Sequence, residues 1–220
     1  MTELFSPLVE RAIEVAAEWH DGTYRKGRWS DPCVQDPGGT PSRVPAMAHV
    51  TTVALTVQRA GWGDDAVAAA FLHDALEDAN RHGDTLARAT LVALVGETVT
   101  RIVEAVSEPK RDADGAWLPW RVRKEAYLAA LAAGPVEAVA VSLADKLHNA
   151  YSMASSLETG IDIFTSAPGR RGLSAGAVDQ RWFFEAVLDE SRSADDPRLV
   201  PMRERLRVEV ARFVAAAGIG

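Results

Sequence analysis

Between Ala66 and Asn80 the chain carries His73, Asp74, Glu77 and Asp78 among Ala, Val and Leu, with no Lys or Arg to offset three carboxylates. The spacing predicts a helix over 66–79, on which His73, Glu77, Asp74 and Asp78 follow one another around one side while Leu72, Leu76 and Ala68 take the other. Buried carboxylates without a partner are costly, so positive charge must reach this arc from elsewhere. A divalent cation is the simplest source.

Two more residues fit that chemistry. Asp145 lies on the core-like face of an apolar helix, one turn from Val141 and from Asn149, and His49 opens a mostly apolar helix. With His73 and Asp74 they form a set of two imidazoles and two carboxylates. Such oxygen and nitrogen donors suit Mn²⁺, Fe²⁺ or Mg²⁺, and octahedral geometry leaves positions for water and substrate. Each residue alone has a plain structural reading: a hydrogen-bonded core histidine, an Asp145–Lys146 pair, a solvated helix end for Glu77 and Asp78. The conjunction is what points to catalysis.

The elements that must position these residues read as helices. Apolar periodicity marks helices from about Leu4 to His20, Ala46 to Ala60, Ala66 to Ala79, Thr85 to Val95, Glu97 to Val106 with Gly96 between them, Trp120 to Ala133, Pro135 to Leu157, Gly176 to Ser191 and Pro201 to Ala217. The 135–157 segment is apolar almost all round, which predicts a helix buried on most sides. Thr23 to Pro45 is rich in Gly and Pro and shows neither helical nor strand period, so it reads as a long loop carrying Arg25, Lys26, Arg28 and Arg43. Lys110–Pro119 and Thr159–Ala175 read as further loops. The fold class is therefore all-α, an expected single domain over 1–220 with a core at about 8–190 and a C-terminal helix near 198–217.

Composition narrows the function classes. The 220 residues are 47% hydrophobic and 25% charged, with one cysteine, Cys33, and a formal net charge of −7. No internal disulfide is possible, and a reducing cytoplasm suits the chain. The acidic balance argues against a nucleic acid polymer as partner. No run approaches the ~20 apolar residues of a membrane span, and the first residues do not resemble a signal peptide. A small anionic substrate is compatible if the 24 basic residues are concentrated locally. Oligomeric state stays open.

The order His49, His73-Asp74, Asp145 resembles the HD superfamily of metal-dependent phosphohydrolases. Three blocks resemble more narrowly the hydrolase domain of RelA/SpoT-type alarmone enzymes and their small single-domain relatives: His20-Asp21-Gly22-Thr23-Tyr24-Arg25-Lys26-Gly27, Ala69 through Asp78, and Leu143-Ala144-Asp145-Lys146-Leu147-His148-Asn149. The resemblance implies an HD-type helical bundle, one Mn²⁺ per chain, and removal of pyrophosphate from the 3′ position of guanosine tetra- or pentaphosphate (ppGpp or pppGpp). It further implies His49, His73, Asp74 and Asp145 as metal ligands, with Glu77 and Asp78 handling the attacking water. Arg25 would stack on the base, Lys26 would meet phosphate, and Asn149 would lie near the ribose. Thr23, Val50 and Tyr151 stand where that family commonly has Gln, Pro and a basic residue. Another nucleotide or a dinucleotide phosphate as substrate, and a nucleotide sensor without turnover, are the alternatives. His20, His82 and His148 lie near turns or outside the charged arc, and His82 and His148 are expected to be structural or at the surface.

Overall fold

The computed structural model describes residues 4–30, 42–166 and 172–220. Helices dominate it. In chain order they are α1 (Pro7–Trp19), α2 (Ala46–Arg59), α3 (Asp64–Leu72), α4 (Arg88–Ala105), α5 (Trp120–Ala133), α6 (Val136–Glu158), α7 (Ala177–Glu190) and α8 (Leu199–Ala217). The all-α expectation holds.

Local sequence explains most boundaries. Ser6 caps α1, its hydroxyl accepting from the Val9 N–H at 3.3 Å, and Pro7 occupies the first turn, where no donor is lost. Gly96 interrupts α4 with φ 85° and ψ 169°, a left-handed conformation that disfavours any side chain. The expected break at this glycine is thus a kink between two helical halves. Gly134 joins α5 to α6 where a Cβ would lie 2.6 Å from Ala105 Cβ, so a bare backbone lets the turn sit against α4.

The spine is α6. It packs against α2, α3, α4, α7 and α8, and Ala138 through Lys146 form an unbroken buried run along it. Apolar side chains of all eight helices, from Ala12 to Phe213, join one buried cluster with Leu72, Val50, Leu143 and Phe184 among its fully enclosed members.

Two expectations need correction. The 23–45 segment is not wholly irregular: β1 (Tyr24–Ser30) and β2 (Ser42–Pro45) form a two-stranded antiparallel ribbon. Its register runs Tyr24↔Pro45, Trp29↔Arg43 and Ser30↔Ser42, with an irregularity between Tyr24 and Trp29. So short and irregular a pair leaves no alternation to read. Residues 31–41 between the strands, including Cys33, lie outside the described residues.

The second correction concerns the acidic stretch. Helix α3 ends at Leu72, and His73 to Asp78 continue as successive turns, with Ala75 N–H on Leu72 O (2.9 Å) and the Glu77 and Asp78 N–H groups both on Asp74 O (3.2 and 2.8 Å). Trp19 Nε1 donates to Asp78 O at 2.9 Å, so that carbonyl is held by α1. Asp and Asn favour such turns because their side chains compete with the helix for backbone groups. Leaving the helix lets neighbouring carboxylates face different partners.

Candidate active site

Three elements bring the expected metal donors together. His49 comes from the first turn of α2, anchored where Ala46 N–H meets Thr23 O at 3.0 Å; His73 and Asp74 come from the end of α3; Asp145 comes from the middle of α6. Nitrogen or oxygen donors of His49, His73 and Asp74 lie within 4.8 Å of one another. Asp145 Oδ1 lies 3.1 Å from His49 Nε2 and 3.7 Å from His73 Nε2, while Asp74 Oδ1 is 3.2 Å from His73 Nε2 and Oδ2 is 3.8 Å from His49 Nε2.

The donor chemistry fits a divalent cation. His73 Nδ1 lies 2.8 Å from Ala70 O, which fixes its proton on Nδ1 and leaves the buried Nε2 without a hydrogen-bond partner. His49 Nδ1 lies 2.6 Å from His148 Nδ1, the two rings stacked with centroids 4.8 Å apart, so His49 Nε2 also turns inward. Two imidazole lone pairs and two carboxylates therefore point at one place, which demands a positive charge. Burial and the Arg25 guanidinium hold His49 well below the ordinary imidazole range. Burial also opposes a charged His73, but Asp74 and the Asp145 contact outweigh it and push that ring up to about 9. A proton or a metal ion answers the same electrostatic need.

Asp145 is gripped on its remaining sides. Lys146 Nζ pairs with Oδ2, and Asn149 Nδ2 donates to Oδ1 at 2.6 Å. Burial raises the carboxyl, yet Lys146 and the two imidazoles outweigh it and hold Asp145 well below the usual range. Arg25 Nη2 donates to Asn149 Oδ1, continuing the chain outward to β1. Arg25 and Asn149 thus stand beside the cluster as a bonded pair. The Lys26 side chain lies outside the described residues.

Glu77 and Asp78 diverge from the metal donors. Glu77 Oε2 accepts from the Glu108 N–H at 3.3 Å, and Lys110 Nζ lies 3.6 Å from Glu77 Oε1 and 2.5 Å from Asp78 Oδ1. Burial first, then the charges of Glu108, Asp74 and Asp78, push Glu77 up to about 7. The positive charge expected from elsewhere is therefore partly protein: Lys110. Glu108 is buried and held by Arg123 (2.5 Å) and Lys124. Arg121, by contrast, lies over the Trp182 ring and pairs with Glu125 at 3.1 Å.

A cavity of about 610 Å³ opens over these groups. His49, Asp74, Glu77, Asp78 and Asp145 line its floor, and Arg25, Arg28, Lys110, Arg123, Lys124 and Lys146 line its walls. Its six cations stand against five carboxylates, Glu108 included, so a bound divalent ion would leave the cavity net positive and suited to an anionic ligand.

Sequence reasoning missed Lys110, Glu108 and His148. His148 is not a bystander: it sits three residues after Asp145, on the same face of α6, and that spacing was the available signal. Nothing local marks Glu108 or Lys110, which arrive through the packing of α4 against α5. His20 is buried at the end of α1, its Nε2 without a hydrogen-bond partner, while His82 is exposed, its ring accepting from Arg81 Nε at 3.1 Å.

A family profile described as HD domain matches residues 28–165. The chain belongs to the HD domain family of metal-dependent phosphohydrolases. Among curated proteins no match is found. Solved structures share the HD fold. One, lmo0812 from Listeria monocytogenes EGD-e, is 24% identical, covers 77% of this chain and 98% of its own, and superposes with a TM-score of 0.59. Another, a metazoan ortholog of SpoT described as hydrolysing ppGpp, is 20% identical over the full length of both chains, with a TM-score of 0.60. No helix of the described HD fold is long and apolar enough to cross a membrane.

Proposed function

We propose that this HD protein is a Mn²⁺-dependent nucleotide phosphohydrolase, and that a guanosine 3′,5′-bis(diphosphate)-like alarmone is its best-fitting substrate. One observation carries the reading: four metal-type donors converge at a cavity that also bears six cations, and two further carboxylates, Glu77 and Asp78, line the same cavity. His49, His73, Asp74 and Asp145 would hold the ion. Bound there, a divalent ion supplies Lewis acidity, lowering the pKa of water and polarising a phosphoryl group.

The remaining steps belong to the chain. Glu77, at about 7, is poised to take a proton from the attacking water near neutral pH, and Asp78, paired with Lys110, would help to orient that water. Water attacks the phosphorus attached to the ribose 3′-oxygen, and the P–O bond to that oxygen breaks. Pyrophosphate and a nucleoside 5′-diphosphate leave, and the proton held by the carboxylate returns to the departing 3′-oxygen. Lys110, Arg123 and Lys124 offset the developing charge, and Asn149 with Arg25 positions the sugar. The intact Glu77–Asp78 pair weighs against a sensor without turnover. Similarity to a SpoT ortholog that hydrolyses ppGpp supports the substrate class.

A second substrate has a specific observation behind it. Tyr151, standing where alarmone hydrolases often have a basic residue, is exposed and is not among the residues that line the cavity. A nucleotide or dinucleotide bearing one ribose phosphate needs no basic residue at that position of α6. A hydrolysis panel in Mn²⁺, with products identified by mass, separates the two. Pyrophosphate release from the tetraphosphate supports the alarmone reading, orthophosphate release from other nucleotides the second, and no turnover by any member overturns both.

A further inference from the structure

Trp117 is 65% exposed, yet it lines the same cavity as His49 and Asp74. It stands on a tight turn in which Arg111 and Trp117 pair as an antiparallel bridge, Leu118 N–H meets Lys110 O at 3.1 Å and Asp112 N–H meets Ala116 O at 3.0 Å. Asp112 Oδ1 accepts from the Asp114 and Ala116 N–H groups at 3.0 and 2.8 Å, and Gly115 supplies the left-handed residue with φ 81°. The turn is thereby fixed from within.

The indole is fixed too. The Arg111 guanidinium lies 4.3 Å from its ring centroid and donates to Gly115 O at 2.6 Å, so one face of the ring is covered by a cation that is itself tied down. Tyr24, on the other hairpin that borders the cavity, repeats the pattern: it is 45% exposed, with Arg43 at 4.8 Å from its centroid. Two arginine-backed aromatic rings thus rim one polar cavity. Neither contributes to the buried apolar cluster. The first turn also joins rim to floor, because Lys110 at its base reaches Asp78.

We propose that Trp117 is a specificity-determining residue that stacks on the nucleobase of the substrate, selecting ligands that carry a planar heterocycle outward from the phosphate bound at the cavity floor. The inference rests on the nucleotide reading above and deepens it. Stacking on an ordered ring needs no new conformational order in the protein, and every base offers a π-face. The turn therefore favours nucleotides over sugar phosphates without choosing strongly among bases.

The test is equilibrium binding to the full-length protein by calorimetry, with guanosine 5′-diphosphate and ribose 5-phosphate as probes. Trp117→Ala and Trp117→Leu should each weaken the nucleotide by roughly 5- to 100-fold, while Trp117→Phe stays within about threefold. Ribose 5-phosphate should bind all four proteins alike. Undetectable nucleotide binding by the unaltered protein, unchanged affinity in Trp117→Leu, or equal weakening of both probes would overturn the proposal. Loss of stacking affinity in a protein that hydrolyses none of the panel leaves the base site standing and removes the hydrolase. Turnover with the same KM in Trp117→Leu does the reverse.

Discussion

His49 and His148 stack with their Nδ1 atoms 2.6 Å apart, so a histidine of α6 fixes the ring of a histidine of α2 across the bundle. With its proton on Nδ1, His49 would donate to His148 Nδ1 and keep Nε2 for an ion. Burial and Arg25 push His148 down to about 4, which keeps it neutral and able to accept from His49. An imidazole whose outer nitrogen is so held presents its inner lone pair in one direction, and such supporting contacts are worth about 10- to 100-fold in metal affinity. We therefore expect His148→Ala to weaken Mn²⁺ binding by that factor, read by calorimetric titration, with His148→Asn recovering part of it. Equal affinity in the alanine variant would show that His49 is oriented by its helix alone.

Asp74 and Glu77 separate although three residues apart. Asp74 faces both imidazoles, whereas Glu77 meets the Glu108 N–H and Lys110. Asp74→Ala should abolish metal retention. Glu77→Gln should keep the metal and lower kcat about 10²- to 10⁴-fold, as expected for loss of a general base. Metal content by plasma emission, measured beside turnover on the same preparations, distinguishes the two. Loss of metal in both variants would contradict the division of roles.

How much of this was legible before the fold was known follows from what carries each feature. Helices α5 and α6 were readable to within a residue because Pro119, Gly134, Pro135 and an apolar period mark them locally. The four donors were readable by type, since each stands in an apolar stretch where a charge or an imidazole needs a reason. The end of α3 was not, because Trp19 holding the Asp78 carbonyl is a contact across 59 residues. Glu108 and Lys110 were hidden for the same cause: in sequence they are an ordinary charged loop, and only the return of that loop to Glu77 makes them part of the site. The ribbon of β1 and β2 escaped because two short strands with a broken register leave no period.

Glu77 links the site to stability. The folded protein keeps its proton up to about 7, whereas the unfolded chain loses it near 4.5. Between those values the folded state binds more protons, so stability must fall as pH rises through the window. Glu77→Gln removes the titration. In chelator-treated protein, urea midpoints of the parent should drop relative to the Gln variant between pH 5 and 7, by about 1 to 3 kcal/mol in all. Parallel curves would mean that the carboxyl ionises as freely folded as unfolded.

Lys146 and Asp145 are adjacent in sequence and both buried, with the ammonium also 4.5 Å from the Tyr127 ring centroid. Burial opposes the charge on Lys146, but Asp145 outweighs it and raises the ammonium above its ordinary range. The pair gains little over apolar packing, but removing one member leaves the other charge stranded. Lys146→Met should therefore cost about 3 to 5 kcal/mol in metal-free protein by urea unfolding. Saturating Mn²⁺ should return part of that loss, because an ion held by Asp145 restores positive charge beside it and binds the folded state alone. An equal deficit with and without Mn²⁺ would place Asp145 outside the metal's coordination.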